Sequence, residues 1–301
     1  SMSKGTLYGL QASGGANVSG TLRGIQAGSV NIVTGKGGGS SYGLQAGAVN
    51  IARGRFYGLQ ASAVNVAWGR SYGFQAGAVN VNGGLYGLQP GAVNVAIGRS
   101  YGGQVGAVNV VTNDLSGAQV GAVNVTSGRT VGTQIGAFNY ARRAKGLQIG
   151  AINIVGTDEG VVPIGLLNVA GNGIFMPTLW GDTSSGFNLG LKLGTRHVYS
   201  IVGVGLSPGK DWDEIADASI VDDRDQAKRL SLTGGVGGHI ETGVRWLYVD
   251  IDLLISRIAR DYTRWGEVDF NTQLRVLVGF RLWGAMSLYA GPTFNVAVST
   301  E

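Results

Sequence analysis

Residues 72–80 run Tyr72-Gly73-Phe74-Gln75-Ala76-Gly77-Ala78-Val79-Asn80, and residues 101–109 run Tyr101-Gly102-Gly103-Gln104-Val105-Gly106-Ala107-Val108-Asn109. They are two copies of one unit. Gln recurs at 11, 26, 45, 60, 75, 89, 104, 119, 134 and 148, and from Gln26 onward an Asn follows five residues later, at 31, 50, 65, 80, 94, 109, 124, 139 and 153. The step is 15 residues, with two steps of 14 and one of 19. A degenerate unit has Pro163 where Gln is expected and Asn168 in register. About eleven copies fill residues 5–171, and a fixed period means that the fold is read from the unit.

Within a unit the stretch from Tyr to Ala is aromatic, β-branched or small, and the Gly-Arg-Ser segment that follows is turn chemistry. Side chains alternate across a strand. A bulge or corner at Gly77 therefore puts Tyr72, Phe74, Val79 and Val81 on one face and Gln75 and Asn80 on the other. The polar ladder to look for is Gln45, Gln60 and Gln75 beside Asn50, Asn65 and Asn80.

The composition agrees with β architecture. Of 301 residues 54 are Gly, 5 are Pro and none is Cys. Interior Gly costs a helix about 1 kcal/mol relative to Ala, so long helices are excluded over most of the chain. The absence of Cys excludes thiolate metal sites, thiol nucleophiles and disulfides. Charged residues make up 14% and the mean hydropathy is +0.15. Residues 1–160 hold eleven Lys/Arg and three acids, with no acid before Asp114. Apart from Arg142, Arg143 and Lys145 the basic residues are spaced singly, largely at turns, so no nucleic-acid partner is expected. Ser1-Met2-Ser3 reads as a cloning scar, with residues 1–4 as a tail. No run of 18 uncharged apolar residues is present, so a membrane could be crossed only by strands.

Residues 172–301 alternate plainly. Residues 187–193, 230–241, 247–255 and 274–282 each place apolar side chains on one face and polar ones on the other. Tight turns at Thr195-Arg196, Thr242-Gly243 and Trp283-Gly284 contrast with long connections at 207–229 and 260–272. Short turns at one end and long loops at the other fit an outer-membrane barrel. Trp246, Trp265, Trp283, Tyr248, Tyr262 and Tyr289 lie near strand ends, where amphipathic rings favour a membrane interface.

With each repeat as one antiparallel strand, the chain is expected to form an all-β transmembrane antiparallel barrel of about 16–18 strands. Six later strands alone are too few to close a membrane barrel, which favours the single barrel. The alternative is a parallel β-solenoid of 15-residue coils joined to a small barrel, because stacked identical units align Gln with Gln and Asn with Asn. In the barrel Lys192, His239, Glu241, Asp250, Asp252, Arg275 and Arg281 face the lumen, where opposed charges either line an aqueous path or pair to seal it.

No enzyme chemistry is expected. His197 and His239 stand at no metal-ligand spacing, and Ser231 with His239 shares a face only as any alternating pair does. The acidic connection from Asp211 to Asp225 lacks the Gly and Glu of a calcium loop. No cofactor or metal is expected. The Gly and Ala faces would allow barrels to pack closely, which motivates homo-oligomerisation.

The Gly-x-Gln-x-Gly-x-x-Asn units at 43–50, 73–80 and 117–124, followed by hairpins ending in Leu288-Tyr289-Ala290-Gly291-Pro292, resemble bacterial surface-repeat outer-membrane proteins. They are also similar to a porin-like, lipid-trapping superfamily of predatory bacteria. That resemblance implies a Gram-negative outer-membrane location, a homo-oligomeric ring of barrels, an envelope-structural or lipid-organising role, and membrane phospholipid and further copies of the chain as partners. Two departures stand against ordinary diffusion through a pore. The chain ends Val298-Ser299-Thr300-Glu301 with Phe294 seven residues short, and no constriction loop interrupts the repeats. The alternative function is that of a surface-displayed β-solenoid adhesion or interaction module.

Overall fold

The computed structural model describes residues 1–36, 40–182, 186–207, 229–259, 268–282 and 286–299. The chain forms two compact units, Ser1–Val162 and Pro163–Glu301.

The first unit is a parallel β-solenoid, of about eleven turns. A repeat supplies two strand segments, for example Ser71–Ala76 then Val79–Asn82, or Ser100–Val105 then Val108–Val111. Each pairs in parallel with the same segment of the next coil. Gln45 faces Gln60, Gln60 faces Gln75, Asn50 faces Asn65 and Asn65 faces Asn80. This overturns the antiparallel meander. Identical units reversed on one another cannot bring Gln beside Gln and Asn beside Asn at every step, whereas units stacked in one direction do so throughout. The first coil begins at Met2, which faces Val18, so residues 2–4 are strand and not tail.

Both fixed glycines of the repeat are set by this stacking. A Cβ at Gly73 would collide with the carbonyl oxygen of Gly58, and the φ of +128° there is one that L side chains rarely adopt. One at Gly106 would collide with the carbonyl of Gly91 and the amide of Asn94.

Beside the amides runs a buried row that alternates large and small from coil to coil. Phe56 lies between Ser41 and Ser71, and Ser71 faces Leu85. Leu115 lies between Ser100 and Thr130. A large side chain in one coil thus stands between small ones in the coils on either side, the alternation of sizes that close packing calls for.

The second unit is a consecutive antiparallel sheet of Ile174–Asp182, Gly186–Gly194, Val198–Ser207, Arg229–Glu241, Leu247–Ala259 and Val268–Arg281, finished by Ser287–Ala290 and Thr293–Ser299. The last two segments both pair with Val268–Arg281, so they are one strand broken at Gly291-Pro292. Among the described residues no backbone ladder joins this strand to Ile174–Asp182. The two ends meet through side chains instead, where Tyr289 Oη lies 2.5 Å from Thr178 Oγ1 and donates to the Leu179 carbonyl at 3.2 Å.

The sheet is therefore curled and open. The expected closed transmembrane barrel of 16–18 strands is not formed, because the repeats stack on themselves and leave the later strands as a separate sheet. The porin-like, lipid-trapping reading loses its structural basis with the barrel. Trp265, Tyr262, Trp283 and the acidic residues Asp211–Asp225 lie outside the described residues.

Candidate functional site

Every repeat Gln and Asn in the solenoid is buried. The Gln amides form a chain in which each Nε2 donates to Oε1 of the preceding coil: Gln45 to Gln26 at 2.9 Å, Gln60 to Gln45 at 2.7 Å and Gln75 to Gln60 at 2.5 Å. The Asn amides form a second chain of opposite sense, with Asn50 Nδ2 donating forward to Asn65 at 3.0 Å and Asn65 to Asn80 at 2.9 Å. Asn65 spends its other hydrogen on the Ala76 carbonyl at 2.8 Å, as Asn109 does on Val120 at 3.0 Å. Amide dipoles of the two ladders consequently oppose one another, and buried polar groups that would be costly alone are partnered. The predicted polar ladder of Gln45, Gln60, Gln75, Asn50, Asn65 and Asn80 is thus the interior of the solenoid, and it holds the fold together rather than meeting a ligand.

The outer face carries a row of tyrosines, of which Tyr42 and Tyr101 are exposed and Tyr57, Tyr72 and Tyr86 are half-buried. Tyr42, Tyr57, Tyr72, Tyr86 and Tyr101 are in register and stack with ring centroids 4.4–4.9 Å apart. Arg23 takes the tyrosine position between Tyr8 and Tyr42, its guanidinium 6.0 and 5.4 Å from their rings. Arg70 lies 5.8 Å over Tyr86. The repeat consensus contains these residues, and the missed signal was that parallel stacking turns a recurring Tyr into a continuous stripe.

In the second unit the seven predicted lumen residues divide. Lys192, Asp250, Asp252 and Arg275 are each at most 3% exposed and His239 is 8% exposed. Lys192 Nζ is 2.7 Å from Asp250 and 3.7 Å from Asp252, and Arg275 is 2.7 Å from Asp252. His239 Nδ1 lies 2.6 Å from Asp250 and its Nε2 lies 3.0 Å from Arg281. A guanidinium can only donate, so Nε2 accepts and the ring proton sits on Nδ1, where it serves Asp250. Arg281 and Glu241 meet at 3.4 Å with side chains 45% and 58% exposed, so they form the rim. A cavity of about 450 Å³ opens there, lined by His239, Glu241, Arg281, Arg196, Tyr248 and Ser287 among others.

Of the two arrangements open to these opposed charges, the buried ones are paired: two buried cations meet two buried carboxylates on the inner face of the sheet. Tyr199, which alternation did not single out, completes the set by donating to Asp252 at 2.6 Å and accepting from Lys192 at 3.1 Å. Gly237 stands opposite Tyr199, and a Cβ there would enter its ring. A glycine facing an aromatic across two strands was the signal for it.

Burial pushes the Asp250 carboxyl up, but the His239 hydrogen bond and the Lys192 charge outweigh it and hold the group below its ordinary value. Burial first, then the charges of Asp252 and Asp250, drive the Tyr199 hydroxyl well above the usual phenol range. Burial likewise raises Tyr248.

The opposite face of this sheet is apolar and exposed, with Leu189 59%, Leu232 63% and Phe294 70% exposed. No family model, curated protein or solved structure matches the chain.

Proposed function

We propose that this chain is an interaction module displayed on the surface of a Gram-negative envelope. The solenoid presents its outer face to a partner, and the C-terminal sheet, through the apolar face it leaves uncovered, attaches the module at the outer membrane. The observation that carries this reading is the register of the solenoid, which repeats the same exposed side chains from coil to coil on a rigid scaffold. Repeat solenoids offer such extended surfaces for binding. The inner face of the second unit is closed by paired charges, which favours attachment over transport.

The test is accessibility on intact cells. A protease site inserted in the turn at Gly54-Arg55 should be cut by protease added outside whole cells. Cleavage that requires permeabilised cells would overturn the proposal.

A further inference from the structure

The tyrosine stripe coincides with the acid-free part of the chain. Residues 1–113 hold seven Lys/Arg and no Asp or Glu. Arg55, Arg70 and Arg99 occupy the turn position just before the buried Phe56, Ser71 and Ser100, and all three are exposed. The first acid, Asp114, pairs with Arg99 at 3.4 Å in the coil where the stripe ends, since Ser116 faces Tyr101. The end is marked by a recess of about 330 Å³ lined by Arg99, Tyr101, Asp114, Ser116, Arg129 and Val131.

We propose that the stripe binds a linear acidic glycan, a polysaccharide carrying carboxylates along its length, laid parallel to the solenoid axis. This names the partner within the surface-display reading and rests on it for the setting, while its chemistry stands on the stripe alone. Stacked rings close their faces against one another, so the base stacking that single-stranded nucleic acids need is not on offer. What they turn outward is ring edges, each carrying a phenolic hydroxyl, once per coil. Exposed guanidinium groups flank them.

Hydroxyls that donate and accept, beside Arg55 and Arg70 in coils that contain no acid, suit a polymer of hydroxyls and carboxylates. The repeat spacing of the stripe is that of adjacent strands, about 4.8 Å, so a chain lying along it meets the same contacts again and again. Rings already fixed by stacking lose little freedom on binding. In the recess the next tyrosine is missing, which leaves the outer face of Tyr101 open to a terminal sugar ring.

The full chain is titrated with polygalacturonate, with neutral dextran and oligothymidylate as competitors for the same surface. Polygalacturonate should bind and dextran should not, and binding should weaken as salt screens the arginines. R55Q/R70Q should weaken it by about tenfold or more. Y57F/Y72F/Y86F keeps the stack, removes the hydroxyls, and should weaken binding several-fold with an unchanged circular-dichroism spectrum.

Polygalacturonate binding no better than dextran, oligothymidylate binding more tightly, or full affinity in R55Q/R70Q would each overturn the proposal. Failure here with the inserted site still cut on whole cells leaves the display reading standing. Binding here with the site protected does the reverse.

Discussion

The two units bury polar side chains in unlike ways. The solenoid hides neutral amides, each passing a hydrogen bond to the identical residue one coil away, from Gln11 to Gln148 and from Asn17 to Asn153. The C-terminal sheet hides full charges, and no two members of its cluster have the same partners. A periodic interior of neutral groups spreads its stabilisation over many equivalent sites that do not titrate. A cluster such as Lys192, Asp250, Asp252 and Arg275 concentrates it in a few contacts that depend on one another and on pH.

That contrast breaks most sharply at Asp252. Its carboxylate meets Arg275, Lys192 and Tyr199. Removing one partner of a buried ion pair typically costs about 3–5 kcal/mol, because the remaining charge stays buried. Asp252→Ala should fall at the upper end, about 5 kcal/mol. Hydrogen exchange read peptide by peptide should show protection lost from the strands Val198–Ser207, Arg229–Glu241, Leu247–Ala259 and Val268–Arg281 and retained in residues 41–149. Equal loss in both units would contradict the separation.

An equivalent cut through an amide ladder should cost less. Gln60→Leu leaves the Gln45 oxygen and the Gln75 amide without each other's relay. An orphaned buried polar group costs about 1–3 kcal/mol, so we expect about 3 kcal/mol in all, seen as loss of exchange protection centred on residues 41–76. Spread of that loss along the whole solenoid would mean that the coils act as one cooperative body.

Acid gives a smaller, reversible version of the first cut. The carboxyl of Asp250 is held below its ordinary value, so its stabilisation is complete above the usual carboxylate range and is lost as pH falls through the folded-state value. Urea resistance of the C-terminal sheet should therefore decline below about pH 4, where free carboxylates begin to protonate, while residues 41–113, with no carboxylate of their own, hold their protection. A parallel decline in both would place the acid-sensitive groups elsewhere.

Much of this was legible beforehand. The Gln and Asn period foretold the two ladders, and the alternation in 187–193, 230–241, 247–255 and 274–282 foretold strands with one apolar and one polar face. Strand direction was not legible, because a 15-residue period fits a meander or a coil equally. The choice of a barrel leaned on the need for the later strands to close, and they remain open. The alternation of Ser41, Phe56, Ser71, Leu85, Ser100 and Leu115 was present in the sequence as a two-coil period, and only parallel stacking gives it meaning. Five of the seven charged candidates converge because they alternate onto one face. Tyr199 joins them through a glycine on the neighbouring strand, a relation that pattern along a single strand does not contain.

The smallest expected effect has the opposite sign. Thr130 occupies the alternating row beside Leu115, is 2% exposed, and its hydroxyl has no hydrogen-bond partner. It is thus a counterexample within the solenoid, a buried polar atom outside the ladders and without a partner. Thr130→Val keeps the β-branched shape that suits a strand and removes a desolvated hydroxyl. The variant should be more stable by about 1 kcal/mol, measured as a higher urea midpoint with an unchanged slope. The same replacement of a partnered polar side chain, as in Gln60→Leu, destabilises. Burial of a polar group is therefore not what stabilises the solenoid; the relay from one coil to the next is, and a destabilised Thr130→Val would show that the hydroxyl takes part in it.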